Sequence, residues 1–252
     1  MSEPAKNEAA KTTREAYDLW HLQRAREESS VDHLSFPWHQ TVARLLPDLN
    51  GLKVLEVGCG RGDFAIWLVR KFPRAMVTGI DFSEAAIMSA RSKLSGNEPH
   101  LSFAVEDAEA LRLPSSSFDQ VISCECLEHV SSPKNMAEEI MRVLKPGGGF
   151  VLTTENYFNG MLLAWLVSWY QRHPFRSGSG TQPMENFFLW WRVKRILEAA
   201  GLHVEHMESN HFQWLLLPGV NPSRLCTADF SSNFCKRIFF PFGRHFTFQG
   251  RV

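Results

Sequence analysis

Long apolar runs, organised cysteine and net charge are all scarce in this chain of 252 residues. The longest apolar run, MLLAWLVSWY at residues 161–170, falls well short of the roughly 20 residues that a bilayer-spanning helix needs, so no transmembrane segment is predicted. The wider stretch 158–170 reads as a buried helix, or as a lid or membrane-surface helix. Five cysteines, Cys59, Cys124, Cys126, Cys226 and Cys235, are scattered without any CxxC spacing. That pattern supports neither a disulfide framework nor a structural zinc site, and the reducing cytoplasm is the expected compartment. Lys plus Arg and Asp plus Glu balance at 27 each, which leaves no overall basic field to recruit nucleic acid or anionic membranes. The N-terminal sequence has no basic start followed by an apolar stretch, so it does not read as a secretion signal, and its first dozen residues are expected to be disordered.

What the chain does have is hydrophobic content, 44% of residues, and rhythm. From residue 53, strand-like and helix-like segments alternate: KVLEVG, DFAIWLVRKF, MVTGID, SEAAIMSARSKL, LSFAVED. This alternation predicts a parallel sheet covered by helices, an α/β fold. QVISCE is the next strand. Ser132 as N-cap and Pro133 at the first helical position then open a helix with Met136, Ile140, Val143 and Leu144 as its apolar stripe. KPGGG stops that helix and FVLTTE follows as a strand. After Glu155 the rhythm breaks until RSGSGTQP, a mobile-loop composition, which points to an insertion. A helix resumes with Leu189, Trp190, Val193, Ile196, Leu197 and Ala200 on one face, and HVEHMESN reads as a strand. Aromatic residues concentrate late in the chain and are expected to serve packing, with some walling an apolar pocket.

The strongest local signal is LEVGCGRGD, residues 55–63, between the first strand and the first helix of the series. Gly58, Gly60 and Gly62 permit a sharp turn and close approach of a ligand to the backbone. A dinucleotide fingerprint would be GxGxxG, whereas the spacing here is GxGxG, with Glu56 two residues ahead. A carboxylate there suits a cationic ligand better than a pyrophosphate. Asp81 ends the second strand, where a carboxylate can accept from both hydroxyls of a ribose, and Asp107 follows the third, placed for the exocyclic amine of an adenine.

LEVGCGRGD, GIDFS, EDAEALRLPSSSFDQVIS and LEHVSSPKNMAEEIMRVLKPGGGFVLTT occur in an order and spacing that resemble the class I S-adenosylmethionine-dependent methyltransferases, of the type 11 and ubiquinone-pathway O-methyltransferase kind. The resemblance covers roughly residues 50–155. It implies a Rossmann-like, seven-stranded, mostly parallel sheet with helices on both faces and an inserted lid after the fifth strand. It also implies S-adenosyl-L-methionine as cofactor. The turn of Gly58, Cys59, Gly60 and Gly62 would cradle its amino-acid part with Glu56 near the ammonium. Asp81 would hold the ribose, Phe82 would pack on the adenine, Asp107 with Ala108 would contact the adenine edge, and Cys124 would pass close to the sulfonium. The chain divides accordingly into an N-terminal helical segment (1–50), a cofactor-binding core (51–155) and a region of lid insertion, final helix and strands (156–252).

SCECLEHV, residues 123–130, joins the site at the reactive end. His129 is the candidate general base, with a structural histidine as the alternative. Glu125, Glu128 and His129 at i, i+3, i+4 would share a face if the chain turned helical there, and the ExxEH pattern resembles that of methyltransferases in which a divalent cation orients the acceptor. Helix flanking is the competing account of the two glutamates. Cys124 and Cys126 alternate along the predicted strand and so are expected to share a face as packing residues. The expected function is methyl transfer to a small-molecule acceptor, by O-methylation, without nucleic acid as partner. An RNA 2′-O-methyltransferase and a non-catalytic cofactor-binding subunit are the alternatives.

Overall fold

The first strand of the sheet, Lys53–Val57 (β1), is buried at every position after Lys53. Burial on both faces is what a near-continuous apolar run in a central parallel strand requires. The computed structural model describes residues 13–23, 36–96, 98–156, 186, 189–213, 227–228 and 240–252. Within them, helices α1 (residues 13–23) and α2 (Pro37–Leu45) precede β1. There follow α3 (Asp63–Lys71), β2 (Met76–Asp81), α4 (Glu84–Ser92), β3 (Leu101–Val105), β4 (Phe118–Cys124), α5 (Pro133–Val143), β5 (Leu144–Glu155), α6 (Trp190–Ala199), β6 (His203–Gln213), β7 (Thr227–Ala228) and β8 (Gly243–Arg251).

The strands form one sheet in the order β3-β2-β1-β4-β5-β8-β6-β7. β1 to β5 run parallel, while β8 is antiparallel to both β5 and β6. The seven strands expected from the sequence are present, with the two-residue β7 as an added edge. Order reverses between β1 and β4, and the crevice beyond the carboxyl ends of these two strands is where open α/β sheets bind ligands.

Each face of the sheet has its own core. Leu55, Val57, Val121, Phe150, Phe246 and Phe248 pack with α5 and α6 on one side; Val54, Val77, Ile122 and Val151 pack with α2, α3 and α4 on the other. The caps follow the sequence: Ser83 accepts from the Ala86 amide at 3.1 Å, and Ser132, followed by Pro133, accepts from Asn135 at 3.3 Å. Two boundaries move. Leu144, expected in the helix stripe, is the C-cap of α5 and the first residue of β5, and Leu189 is the N-cap of α6. Leu144 is extended because it already pairs with Phe118. The apolar run 161–170 and RSGSGTQP lie outside the described residues, as do the predicted lid and the first dozen residues.

Candidate functional site: a groove at the carboxyl edge of the sheet

The glycine turn between β1 and α3 is left-handed at all three glycines, but each is there for its own reason. A Cβ on Gly58 would stand 2.6 Å from Cys126 Sγ, and one on Gly62 would stand 2.5 Å from the Phe103 ring. Both are demanded by close packing of the protein itself. At Gly60 (φ 53°) an added Cβ would make only ordinary contact, with His21 Cε1 at 3.8 Å, so this glycine serves the turn rather than close packing. The Gly60 amide donates to Asp81 Oδ2 at 2.8 Å and the Ser83 amide to Asp81 Oδ1 at 2.9 Å, which ties the end of β2 to the glycine turn.

Glu56 lies beneath that turn, 2% exposed, and its Oε2 has no hydrogen-bond partner. Burial, followed by the nearby charges of Asp63 and Asp81, pushes its carboxyl up to about 8. A buried, unsatisfied acid beneath a glycine turn is an arrangement that a cationic group satisfies. Asp107 stands past the end of β3, where its Oδ1 accepts from the Glu109 amide at 2.9 Å, and Ala108 packs against the core. Glu56, Gly60, Asp81, Phe82 and Asp107 therefore share the carboxyl edge of β1 to β3.

The N-terminal helix crosses this groove, a placement that sequence reasoning missed. The Arg14 guanidinium lies 4.4 Å over the Phe82 ring. Asp18 Oδ1 accepts from the Ser83 hydroxyl at 2.6 Å and from the Ala85 amide at 3.1 Å, adding a carboxylate to the N-terminus of α4. Tyr17 meets His129 edge-on with ring centroids 6.4 Å apart. Together with His21 at Gly60, α1 touches the ends of β1, β2 and β4.

At the β4 end the structure corrects the shared face expected of Cys124 and Cys126. β4 stops at Cys124, and Glu125 adopts φ 49°, the left-handed region that a non-glycine residue rarely occupies. Strand alternation is broken there, so Cys124 joins the core on the α3 side while Cys126 packs on the α5 side; they do not share a face. Burial raises all three thiols, Cys59, Cys124 and Cys126, above the ordinary range, as befits packing residues. The ExxEH donors also part. Glu125 Oε2 meets His245 Nδ1 at 2.9 Å, and its amide donates to Thr153 Oγ1 at 3.1 Å. Glu128 Oε2 accepts from Thr154 Oγ1 at 2.9 Å. Successive residues of a strand point to opposite faces, so the two glutamates are drawn to opposite sides of β5. Among the described residues no three His, Cys, Asp or Glu side chains are grouped to hold a metal ion.

Glu128 is 1% exposed, and burial, then the charge of Glu125, raises its carboxyl to about 8. Its Oε1, without a hydrogen-bond partner, stands 3.9 Å from His129 Nε2. His129 sits on the short 3₁₀ turn Leu127–His129 with 14% of its side chain exposed. His245, 118 residues beyond Leu127 in sequence and on another strand, carried no local signal that could have marked it.

Residues 54–148 match the methyltransferase domain family. A ubiquinone biosynthesis O-methyltransferase of Coxiella burnetii is 31% identical over 151 residues, 60% of this chain and 62% of that protein. A phthiotriol/phenolphthiotriol dimycocerosates methyltransferase of Mycobacterium ulcerans is 36% identical over 130 residues, 50% of this chain and 45% of that one. The matched segment is the methyltransferase domain of this chain. An S-adenosylmethionine-dependent methyltransferase of Mesorhizobium loti has the same fold, with a TM-score of 0.60 at 20% identity over 84% of this chain and 96% of that one. The matched portion spans less than half the length of the Mycobacterium relative. In this methyltransferase domain the unsatisfied buried acid of Glu56 fits a cofactor with a cationic end, and no described helix is long and apolar enough to cross a membrane.

Proposed function

We propose that this protein transfers a methyl group from S-adenosyl-L-methionine to a hydroxyl of a small-molecule acceptor. The observation that carries the reading is the buried carboxyl of Glu56, with Oε2 unsatisfied, beneath the left-handed glycine turn that is tied to Asp81. When bound, the cofactor supplies a methyl on sulfur with a good leaving group. In this reading Glu56 meets the ammonium, the turn of Gly58 to Gly62 the amino-acid part, Asp81 the ribose hydroxyls, Phe82 with Asp107 and Ala108 the adenine, and Cys124 lines the sulfonium end. The O-methyltransferase name of the Coxiella relative supports oxygen as the acceptor atom.

What remains for the chain's own residues is alignment and removal of a proton. Positioning can lower such a barrier by about 7 to 11 kcal/mol, and a general base adds roughly 10² to 10⁴-fold for a hydroxyl. His129 is the base, and its Nε2 lies 3.9 Å from Glu128 Oε1. Two measurements test this. Calorimetry should show binding of S-adenosylmethionine and S-adenosylhomocysteine but not NAD. Transfer of labelled methyl to a panel of phenols, alcohols and carboxylic acids should yield a product that His129→Ala loses by roughly 10²-fold or more, with cofactor affinity held within about threefold. Equal losses in turnover and affinity count against the base.

A further inference from the structure

We propose that His245 is a positioning residue of the methyl-transfer site, acting through Glu125 to hold the turn that carries Glu128 and His129. This rests on the methyltransferase reading above, in which that turn faces the reacting methyl. The starting observation is backbone strain. Glu125 has φ 49°, and a residue with a Cβ stays there only where its surroundings over-determine it. Glu125 is held at both ends: its amide donates to Thr153 O and Thr153 Oγ1, each at 3.1 Å, and its carboxylate receives His245 Nδ1 at 2.9 Å.

His245 is suited to act as an anchor. It is 3% exposed, and β8 is placed by its pairing with β5 and β6, not by anything local to the turn. In register it stands opposite Glu155 on β5 and Asn210 on β6, and the Trp38 ring of α2 covers it at 5.0 Å between centroids. An ionised carboxylate only accepts, so the bond requires the hydrogen on Nδ1 and sets the orientation of the ring.

What the anchor controls lies immediately downstream. The next residue, Cys126, presses Sγ to within 2.6 Å of where a Cβ of Gly58 would stand, so any change in the Glu125 backbone drives Cys126 into the glycine turn or away from it. Leu127, Glu128 and His129 move with it. On the opposite face of the sheet Glu128 is tied to Thr154, and its carbonyl accepts from the Asn186 amide at 2.6 Å. The turn is thus held from both faces, and His245 is the tie from β8. A buried polar pair is weakly justified by stability alone, since apolar residues of similar volume often do as well; fixing a register is its better-attested use.

The test uses the full-length protein with isotope-labelled histidine rings, with and without S-adenosylhomocysteine, its resonances assigned by single substitutions. His245→Leu is expected to displace the ring resonance of His129. His245→Asn, whose Nδ2 can donate to Glu125 from nearly the same position, should restore it. An unmoved His129 resonance in folded His245→Leu, or equal displacement by Leu and Asn, overturns the proposal. Should His245→Leu fail to fold, Glu125→Gly takes its place. Glycine accepts the left-handed backbone without strain, yet loses the tie, so it should displace His129, whereas Glu125→Gln should not; identical spectra for the two overturn the proposal. A protein that binds neither S-adenosylmethionine nor its product overturns the methyltransferase reading instead, and the coupling of His245 to His129 in ligand-free protein is judged apart from it.

Discussion

Glu56 is the residue whose burial makes the sharpest demand. Its carboxyl is raised to about 8, so near neutrality the ligand-free protein holds a proton there that the unfolded chain does not. The native state binds more protons between the ordinary carboxylate range and about 8, and the stability this contributes is lost as pH rises through that window. Glu56→Gln, which cannot ionise, is therefore expected to raise the melting temperature above pH 8 while weakening S-adenosylmethionine binding by more than tenfold, measured by scanning calorimetry and titration. In the wild type, binding a cation below pH 8 must expel the proton, so affinity should climb with pH up to about 8, and titrations in buffers of different ionisation heat should show proton release. The position of Glu56 was legible in the sequence because the strand, the acid and the glycines are contiguous. The splitting of Cys124 from Cys126, and of Glu125 from Glu128, was not: both follow from the left-handed Glu125, which no residue type in SCECLEHV announces. The His245 contact was hidden for another reason, since 120 residues separate the partners.

Among the elements, α1 is the one that sequence pattern could describe but not place. A short helix near the start was expected; which surface it covers depends on Asp18 finding the N-terminus of α4, and one aspartate on a helix face carries no such address. Because Asp18 receives two hydrogen bonds there, and charge-assisted bonds contribute about 1.5 to 3 kcal/mol, Asp18→Ala should loosen the strap across the groove. The expected result is dissociation of S-adenosylhomocysteine roughly tenfold faster in stopped flow. An unchanged dissociation rate means that α1 does not limit exchange. The parallel strands and their helices, by contrast, were legible in order and type, because each strand's apolar run and the Ser83 and Ser132 caps are written locally, although the start of β5 was not.

At the level of the whole molecule, the sheet separates the acids that the ExxEH spacing had suggested might meet. Glu125 is held towards β8 on one side and Glu128 by Thr154 on the other, so bringing them to one ion would break both ties. Methyl transfer and cofactor binding are accordingly expected to survive exhaustive chelation and dialysis, and added Mg²⁺ or Mn²⁺ should produce no heat of binding at this turn. The strand order has a further consequence for assembly. Among the described residues β6 pairs only with β7 and β8, so in the sheet it joins the parallel half through β8, although β8 follows it in sequence. As the chain emerges, the parallel half can close once β5 is made, while the 11-residue β6 waits with its backbone unpaired. During that interval it is an open edge, available to another copy of itself. The late arrival of β8 thus makes folding of this protein a race between its own last strand and a neighbour's.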